Sequence, residues 1–148
     1  MKTNYITVKF KSCPSNERFA RQVVAAFAAE LNPTVDEICD IKTAVSEAVT
    51  NAIIHGYRDK EGVVTLSACY SGKNIEISVS DNGVGIADVE KAMEPLYTSQ
   101  PELERSGMGF TVMETFMDFI DVISAPNEGT KVILKKKIGD GNDKMWSR

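Results

Sequence analysis

The stretch Glu47-Ala-Val-Thr-Asn-Ala-Ile-Ile-His-Gly-Tyr57 is the part of the chain from which the fold can be worked out. Together with the residues before it, this stretch predicts an amphipathic helix with a narrow apolar stripe. That stripe is formed by Ile41, Val45, Ala48 and Ala52. Glu47, Asn51 and His55 recur every four residues, so they form a polar stripe beside the apolar one. The polar stripe fits two interpretations: one wall of a polar pocket, or an ordinary amphipathic helix with three polar residues at its margin.

Composition limits the kind of protein that this chain can be. Its 148 residues, 43% hydrophobic and 26% charged, are typical of a single globular domain with a real core. We expect that domain to span residues 1–138 and to be followed by a flexible tail, residues 139–148. The net charge of −4 and the pI of about 5.1 argue against a direct nucleic-acid partner or an anionic membrane.

Compartment and redox state follow from what the sequence lacks. No apolar run approaches the roughly 20 residues of a membrane span, and the N-terminus has no apolar signal-peptide core. We therefore expect a cytoplasmic protein. Cys13, Cys39 and Cys69 are odd in number and lack metal-ligand spacing, so we expect reduced, partly buried thiols.

Hydrophobic periodicity predicts the order β-α-α-β-β-α-loop-α-β-β. The strands are expected at residues 5–11, 63–70, 75–80, 119–124 and 130–138. The first helix follows Pro14-Ser15-Asn16, which offers caps, and its apolar face is expected to comprise Phe19, Ala20, Val23, Val24, Phe27 and Leu31. A capping box, Thr34-Val-Asp-Glu37, opens the second helix, and Gly56 is expected to end it. A short helical piece at 88–93, a surface loop at 96–106 and a helix opened by Gly107-Met108-Gly109 complete the order. The predicted fold class is α+β: a two-layer sandwich of a mixed, mainly antiparallel sheet with helices on one face.

Four separated elements have the chemistry of one nucleotide site. Asp81 follows the strand residues Ile75, Ile77 and Val79 on the same face, so its carboxylate should point toward the core, where only a hydrogen-bond donor makes it tolerable. An adenine amino group is such a donor. Gly83 and Gly85 allow tight turns and close approach of the backbone to a ligand. Gly107 and Gly109 precede a helix, whose free N–H groups favour phosphate, although for this glycine pair taken alone plain turn chemistry is the better explanation. Asn51 offers a neutral oxygen to Mg²⁺, and Glu47 could take a proton from an attacking hydroxyl or water.

In combination, these motifs resemble those of the ATPase and kinase superfamily that includes gyrase, the Hsp90 chaperone, histidine kinases and MutL. The N-box of that superfamily is similar to Glu47-x-x-x-Asn51, and its first glycine box to Asp81-x-Gly83-x-Gly85-Ile86. The second glycine box is similar to Gly107-x-Gly109, and a later glycine-threonine pair to Gly129-Thr130. The resemblance implies a Bergerat-type ATP-binding fold with ATP and Mg²⁺ as ligands.

A narrower resemblance, over residues 5–137, is to the anti-sigma F factors of sporulating bacteria. It rests on Phe19-Ala-Arg21, on the stretch 47–57 and on Pro101-Glu-Leu-Glu-Arg-Ser-Gly-Met-Gly-Phe110. The resemblance implies a protein that binds a sporulation sigma factor, phosphorylates a serine on an anti-anti-sigma partner and forms a homodimer. It implies Glu47 as the general base, Asn51 as the Mg²⁺ ligand, Asp81 as the reader of adenine, residues 97–106 as an ATP lid, and Arg21 with Glu17 as partner-binding residues. The full set of implied ATP-binding residues is Asn51, His55, Asp81, Gly83, Gly85, Ile86, Thr98, Arg105, Ser106, Gly107, Met108, Gly109 and Thr130.

Two alternatives stay open from the sequence. One is a histidine-kinase-like catalytic domain, although a sensor histidine kinase needs a phosphoacceptor histidine on a dimerising helix, and the only histidine here, His55, lies inside the predicted N-box helix. A carboxylate at position 47 also suits a serine acceptor better, because a serine hydroxyl has a proton to lose. The other alternative is an ATP-gated binding module without kinase activity. We further expect the Arg21 guanidinium to be free to pair with a carboxylate of a partner.

Overall fold

A computed structural model describes residues 1–58, 60–94 and 109–139. The strands are β1 (Thr3–Lys11), β2 (Val63–Ser71), β3 (Asn74–Asp81), β4 (Phe119–Ser124) and β5 (Thr130–Lys137). The helices are α1 (Asn16–Ala28), α2 (Val35–Thr50), α3 (Val89–Ala92) and α4 (Gly109–Phe116). A 3-10 turn, Ala29–Leu31, follows α1, and a π-helical segment, Asn51–Tyr57, continues α2. The predicted order of strands and helices is confirmed for the described residues, with the strand boundaries displaced by at most two residues.

The described strands form one five-stranded sheet in the order β1-β2-β3-β5-β4. All four of its pairings are antiparallel, so the sheet that we expected to be mixed and mainly antiparallel has no parallel pair among the described strands. A two-residue turn, Gly72-Lys73, joins β2 to β3, with Gly72 at φ +60° as such turns require. The α+β fold class is confirmed.

Helices cover one face of the sheet, and the core lies between the two layers. Helix α2 packs against both α1 and α4, and contacts the sheet at β3. The alternation along β3 buries Ile75, Ile77 and Val79 together on the helix side. On the opposite face, Tyr5 and Ile123 are more than half exposed. The two-layer sandwich follows from this one-sided burial.

Helix α2 begins as predicted but does not end as predicted. The Thr34 hydroxyl accepts the Glu37 N–H at 3.1 Å, and the Glu37 carboxylate accepts the Thr34 N–H at 2.8 Å, which completes the capping box. The prediction that Gly56 ends the helix is wrong. The π-helical segment continues through Gly56 to Tyr57, and the residue with a positive φ, +57°, is Arg58.

Two expectations about α1 are also corrected. Ser15 stands at its N-cap, but its side chain makes no capping hydrogen bond; Asn16 instead donates to the Lys11 carbonyl at 3.0 Å. Phe19 was expected on the apolar face, yet 52% of it is exposed. The helix buries Ala20, Val24 and Phe27, a narrower stripe that turns Phe19 toward solvent.

The remaining expectations divide into those that the structure describes and those that it does not. Cys13 is half-buried, whereas Cys39 and Cys69 are exposed, and all three are free thiols. Among the described helices, none combines the length and the hydropathy needed to cross a membrane. The whole of the expected loop at 96–106 and residues 140–148 of the expected tail lie outside the described residues, so the proposed lid remains a prediction.

Candidate functional site

Three polar side chains form a row across the end of the sheet. Asp81, the last residue of β3, pairs directly with Thr130 of β5, and Thr130 pairs with Ser124 of β4. Residues directly opposite one another in antiparallel strands project on the same face. Asp81 and Thr130 are only 6% and 5% exposed. The prediction that the Asp81 carboxylate points inward is therefore confirmed.

The environment of Asp81 leaves its carboxylate short of donors. Burial raises the pKa of Asp81, and the backbone N–H groups of Gly83 and Thr130 only partly offset that effect. The Gly83 N–H donates to Asp81 Oδ1 at 2.9 Å. An ionised carboxylate has about four acceptor positions, so donors from the backbone leave capacity for a donor from a ligand. Such a half-satisfied buried carboxylate is typical of a binding site.

Gly56 lies directly against Asp81. A Cβ placed on Gly56 would be 2.8 Å from Cγ, Oδ1 and Oδ2 of Asp81, which is closer than real Cβ contacts. The Gly56 carbonyl also accepts the Val84 N–H at 2.8 Å, and a Cβ on Gly83 would be 1.9 Å from that carbonyl oxygen. Glycine at 56 and 83 is thus required by close contact between the helix end and the turn after β3.

A second group of contacts ties the turn after β3 to the β4–β5 connection. Gly85 adopts φ +74°, and a Cβ there would lie 1.9 Å from the Ala125 carbonyl oxygen. The Ile86 N–H donates to Ser124 Oγ at 2.7 Å, and the Asn127 N–H donates to the Val84 carbonyl at 2.7 Å. The glycine box is therefore held against the end of β4 and the β4–β5 connection by one backbone hydrogen bond and by one serine hydroxyl.

Helix α2 and the π-helical segment after it carry the three residues of the expected polar stripe, but only two of them keep the expected spacing. Glu47, Asn51 and His55 are all half-buried. Glu47 lies in regular α-helix, whereas Asn51 begins the π-helical segment, in which hydrogen bonds run from i to i+5. The wider winding means that His55 does not follow the α-helical spacing that the sequence pattern assumed. Glu47 and Asn51 keep the α-helical spacing, because the Asn51 N–H still donates to the Glu47 carbonyl.

The described residues offer no dedicated metal cage. No cluster of three or more His, Cys, Asp or Glu side chains within them could hold a metal ion. Mg²⁺ does not need such a cluster, because it is usually held by one or two protein oxygens together with substrate phosphates and water. The amide oxygen of Asn51 is a suitable ligand of that kind.

Several predicted nucleotide contacts cannot be placed. Thr98, Arg105, Ser106, Gly107 and Met108 lie outside the described residues, and these assignments remain predictions. Gly109 is the first residue of α4, as the helix-opening motif predicts.

The expectation that Arg21 is free is wrong. Arg21 Nε lies 3.0 Å from Glu17 Oε2, one turn earlier on α1, and the Ser46 hydroxyl donates to the same carboxylate oxygen at 2.6 Å. The Nε–H is not directed at any acceptor among the described residues, so the contact is an ion pair rather than an aligned hydrogen bond. Arg21 remains about one-third exposed. The spacing i, i+4 of Glu17 and Arg21 was a signal for this pair.

Sequence reasoning missed three contributors to the site: Gly56 as a contact of Asp81, Tyr57 and Ser124. The Tyr57 hydroxyl donates to the Val63 carbonyl at 2.5 Å and accepts the Asn82 N–H at 2.8 Å, which fixes the residue after Asp81. Tyr57 and Ser124 carry no local sequence signal for this role, because the residues that they hold at the site, Asn82 and Ile86, lie 25 and 38 positions away in the sequence.

Comparison with known proteins gives a consistent result. The family described as histidine kinase-like ATPase domain matches residues 10–136. An anti-sigma F factor of Clostridium acetobutylicum is 61% identical over 137 residues, covering 93% of this chain and 96% of that protein. Anti-sigma F factors of Clostridium kluyveri and Thermoanaerobacter sp. are 58% and 60% identical, and each alignment covers 96% of the relative, with 92% and 93% of this chain.

Proposed function

Because this chain belongs to the histidine kinase-like ATPase family and, within it, to the anti-sigma F factors, we propose that it holds a sporulation sigma factor inactive and phosphorylates a serine of an anti-anti-sigma partner with Mg-ATP. The observation that carries the nucleotide part is the buried Asp81 carboxylate at the end of β3. A carboxylate that burial makes harder to ionise and that retains free acceptor positions suits the amino group of adenine.

In the proposed site, adenine lies at the row formed by Asp81 and Thr130, and the glycine box of Gly83, Gly85 and Ile86 lies along the nucleoside. The phosphates extend toward the N-terminus of α4 at Gly109, where free N–H groups favour negative charge. Mg²⁺ would neutralise phosphate charge there, held by the Asn51 amide oxygen together with phosphate oxygens and water. His55, Thr98, Arg105, Ser106, Gly107 and Met108 complete the proposed nucleotide contacts.

Glu47 is the proposed general base. It takes the proton of the partner's serine hydroxyl while that oxygen forms a bond to the γ-phosphorus, and the bond from phosphorus to the bridging oxygen breaks to release ADP. Glu47 lies one turn before Asn51 on the same helix, so base and metal ligand face the same region. A positioned base contributes about 10²–10⁴-fold to such a reaction.

Arg21 and Glu17 are the proposed partner-binding residues on α1. Their mutual ion pair does not prevent this role, because the guanidinium has five N–H donors and Glu17 engages it at Nε. The partly exposed remainder can pair with a carboxylate of the sigma factor or the partner. We also propose that the protein acts in the cytoplasm as a homodimer.

The proposal is tested by binding measurements with purified components. Calorimetry should detect Mg-ATP binding by the parent protein, and Asp81→Asn should weaken it about 10–150-fold, since losing a hydrogen bond to a charged group costs roughly 1.5–3 kcal/mol. Immobilised sigma F factor should capture the parent in the presence of ATP, whereas Arg21→Ala should lose capture but keep ATP affinity. Equal ATP affinity for Asp81→Asn would remove Asp81 from the site, and undiminished capture of Arg21→Ala would move the sigma-binding surface elsewhere.

The same reagents separate the two alternatives. An ATP-gated binding module would capture the sigma factor without transferring phosphate to a serine-bearing partner. Transfer to that serine would therefore exclude it, while phosphate appearing on a histidine would favour a histidine-kinase-like activity.

A further inference from the structure

Lys136 is a charged residue on the helix-covered face of the sheet. It continues an alternating series of buried residues along β5, which are Thr130, Val132 and Leu134. Its direct cross-strand neighbour is Ile75, which is 1% exposed and lies on the same face. The Lys136 side chain is itself only 13% exposed. A lysine at such a position needs acceptors or an opposite charge for its ammonium group.

The ammonium group of Lys136 holds the C-terminal end of α4. Its Nζ donates to the carbonyl of Phe116, the last residue of α4, at 3.0 Å. The same Nζ lies 3.9 Å from a carboxylate oxygen of Asp40 on α2. The last carbonyl groups of a helix have no partner inside the helix and carry the negative end of its dipole. Lys136 therefore satisfies one of these carbonyls and places a positive charge where the helix favours it.

Helix α4 depends on such contacts for its orientation. Its eight described residues span about 12 Å, and an isolated helix of that length is not stable in water. It buries Phe110 and Met113 and packs against α2. Apolar packing is non-directional, so it does not by itself fix the tilt or the rotation of a short helix. The hydrogen bond from Lys136 is directional and fixes one end of α4 on β5.

The other end of α4 is where the nucleotide phosphates are proposed to bind. About two turns of helix separate Gly109 from Phe116. Hydrogen bonds within the helix keep those turns together, so a tilt at Phe116 changes the direction of the N–H groups at the first turn. These N–H groups favour a phosphate only when they point toward it.

We propose that Lys136 is a positioning residue for phosphate binding: by holding the C-terminal end of α4 on β5, it keeps the N–H groups of the first turn directed at the nucleotide phosphates. This inference rests on the proposed function, because it assumes that the phosphates lie at Gly109. Lys136 acts through α4 and not by contact with the nucleotide. Its removal should therefore weaken binding of the phosphates and leave binding of the nucleoside unchanged.

The test compares the affinities of ATP and of adenosine, which lacks all three phosphates, with Mg²⁺ present. Calorimetry measures ATP binding, and displacement of a fluorescent ATP analogue measures adenosine binding. Lys136→Met keeps an apolar stem and removes the ammonium group. Its ATP affinity should fall about three- to thirtyfold, the upper part of the range that a helix N-terminus contributes to holding an anion. Its adenosine affinity should stay within about twofold of the parent.

Matched variants show whether the contact with α4 is responsible. Lys135→Met removes the same charge from the adjacent residue, which lies on the opposite face of the sheet and pairs with Glu76 at 3.5 Å. Both of its affinities should stay within about twofold of the parent. Lys136→Arg keeps a positive charge and donors for the Phe116 carbonyl, and should restore most of the ATP affinity. If Lys136→Met fails to fold, Lys136→Gln, which is uncharged and shorter but polar, replaces it with the same expectation.

The other outcomes overturn the inference in distinguishable ways. An unchanged ATP affinity in Lys136→Met, or an equal fall for ATP and adenosine, would refute the positioning role and leave the proposed nucleotide site intact. An equal loss in Lys135→Met would assign the effect to charge alone. A parent that binds ATP no more tightly than adenosine would show that α4 does not hold the phosphates. Failure of the parent to bind either ligand would refute the proposed function together with this inference.

Discussion

Replacing Gly56 by alanine is the most direct perturbation of the contact between the helix end and the Asp81 carboxylate. The added Cβ would lie 2.8 Å from three carboxylate atoms, whereas ordinary contacts begin at 3.4 Å. The φ of Gly56 is not positive, so the backbone itself accepts alanine. The carboxylate must therefore move, and a shift of about 0.6 Å would stretch its 2.9 Å bond from Gly83 beyond the usual limit of about 3.2 Å.

The two energetic consequences of Gly56→Ala differ in size. Overpacking costs about 1–3 kcal/mol, and replacing glycine within a helix returns about 0.5–1 kcal/mol. The free energy of unfolding should thus fall by about 0–2.5 kcal/mol. ATP affinity should fall by about 10–150-fold, because the displaced carboxylate loses its charged hydrogen bond to the ligand.

The assay is a double-mutant cycle between Gly56→Ala and Asp81→Ala, followed by chemical denaturation and by calorimetry with ATP. With Asp81 shortened, the Cβ at position 56 has no carboxylate to displace, so Gly56→Ala should be neutral or stabilising and should not weaken binding further. Additive losses in both readouts would refute the account of Gly56 as a glycine required by Asp81.

Three further predictions concern other contacts of the site. Burial raises the pKa of Asp81 above its ordinary value of 3.8, so the folded state holds an extra proton between the unfolded-state and folded-state pKa values, and the parent loses stability as pH rises through that window. The difference in unfolding free energy between Asp81→Asn and the parent should therefore shift in favour of Asp81→Asn from pH 3 to 7, and a constant or opposite difference in denaturation curves would contradict it. Tyr57→Phe leaves the Asn82 N–H and the Val63 carbonyl without their shared partner and should cost about 1–3 kcal/mol by denaturation; unchanged stability would show that those groups find other partners. Ser46→Ala removes the bond that orients Glu17 and should weaken capture by the sigma factor less than Arg21→Ala does, with ATP affinity unchanged; a loss of ATP affinity would place Ser46 in the nucleotide site.

Local patterns in the sequence predicted the framework because they depend on near neighbours. The period-two alternation of β3 placed Asp81 on the buried face, and the spacing of Thr34 and Glu37 predicted the capping box. Both depend on residues within eight positions of one another. The family motifs added the prediction that these separated elements contribute to one common site.

Contacts between distant parts of the chain could not be predicted in this way. In the sequence, Gly56 matches the pattern of a helix end. In the structure, glycine is required at position 56 because the Asp81 carboxylate, 25 positions later in the sequence, lies directly against it. Ser124 has no signal, because its role depends on the register between β4 and β5. The Arg21 ion pair is different, since its i, i+4 spacing to Glu17 is visible in the sequence.

Phosphate transfer by Glu47→Gln tests the central claim, that this chain is a kinase whose base is Glu47. Single-turnover transfer of labelled γ-phosphate from saturating Mg-ATP to the serine of the anti-anti-sigma partner should be at least about a hundredfold slower than in the parent, because glutamine keeps the shape but cannot take the proton. ATP affinity and sigma-factor capture should stay unchanged, and Glu114→Gln, an exposed glutamate of α4, is the matched control that should transfer at the parent rate. Transfer by Glu47→Gln at the parent rate, or no transfer by the parent itself, would contradict the account.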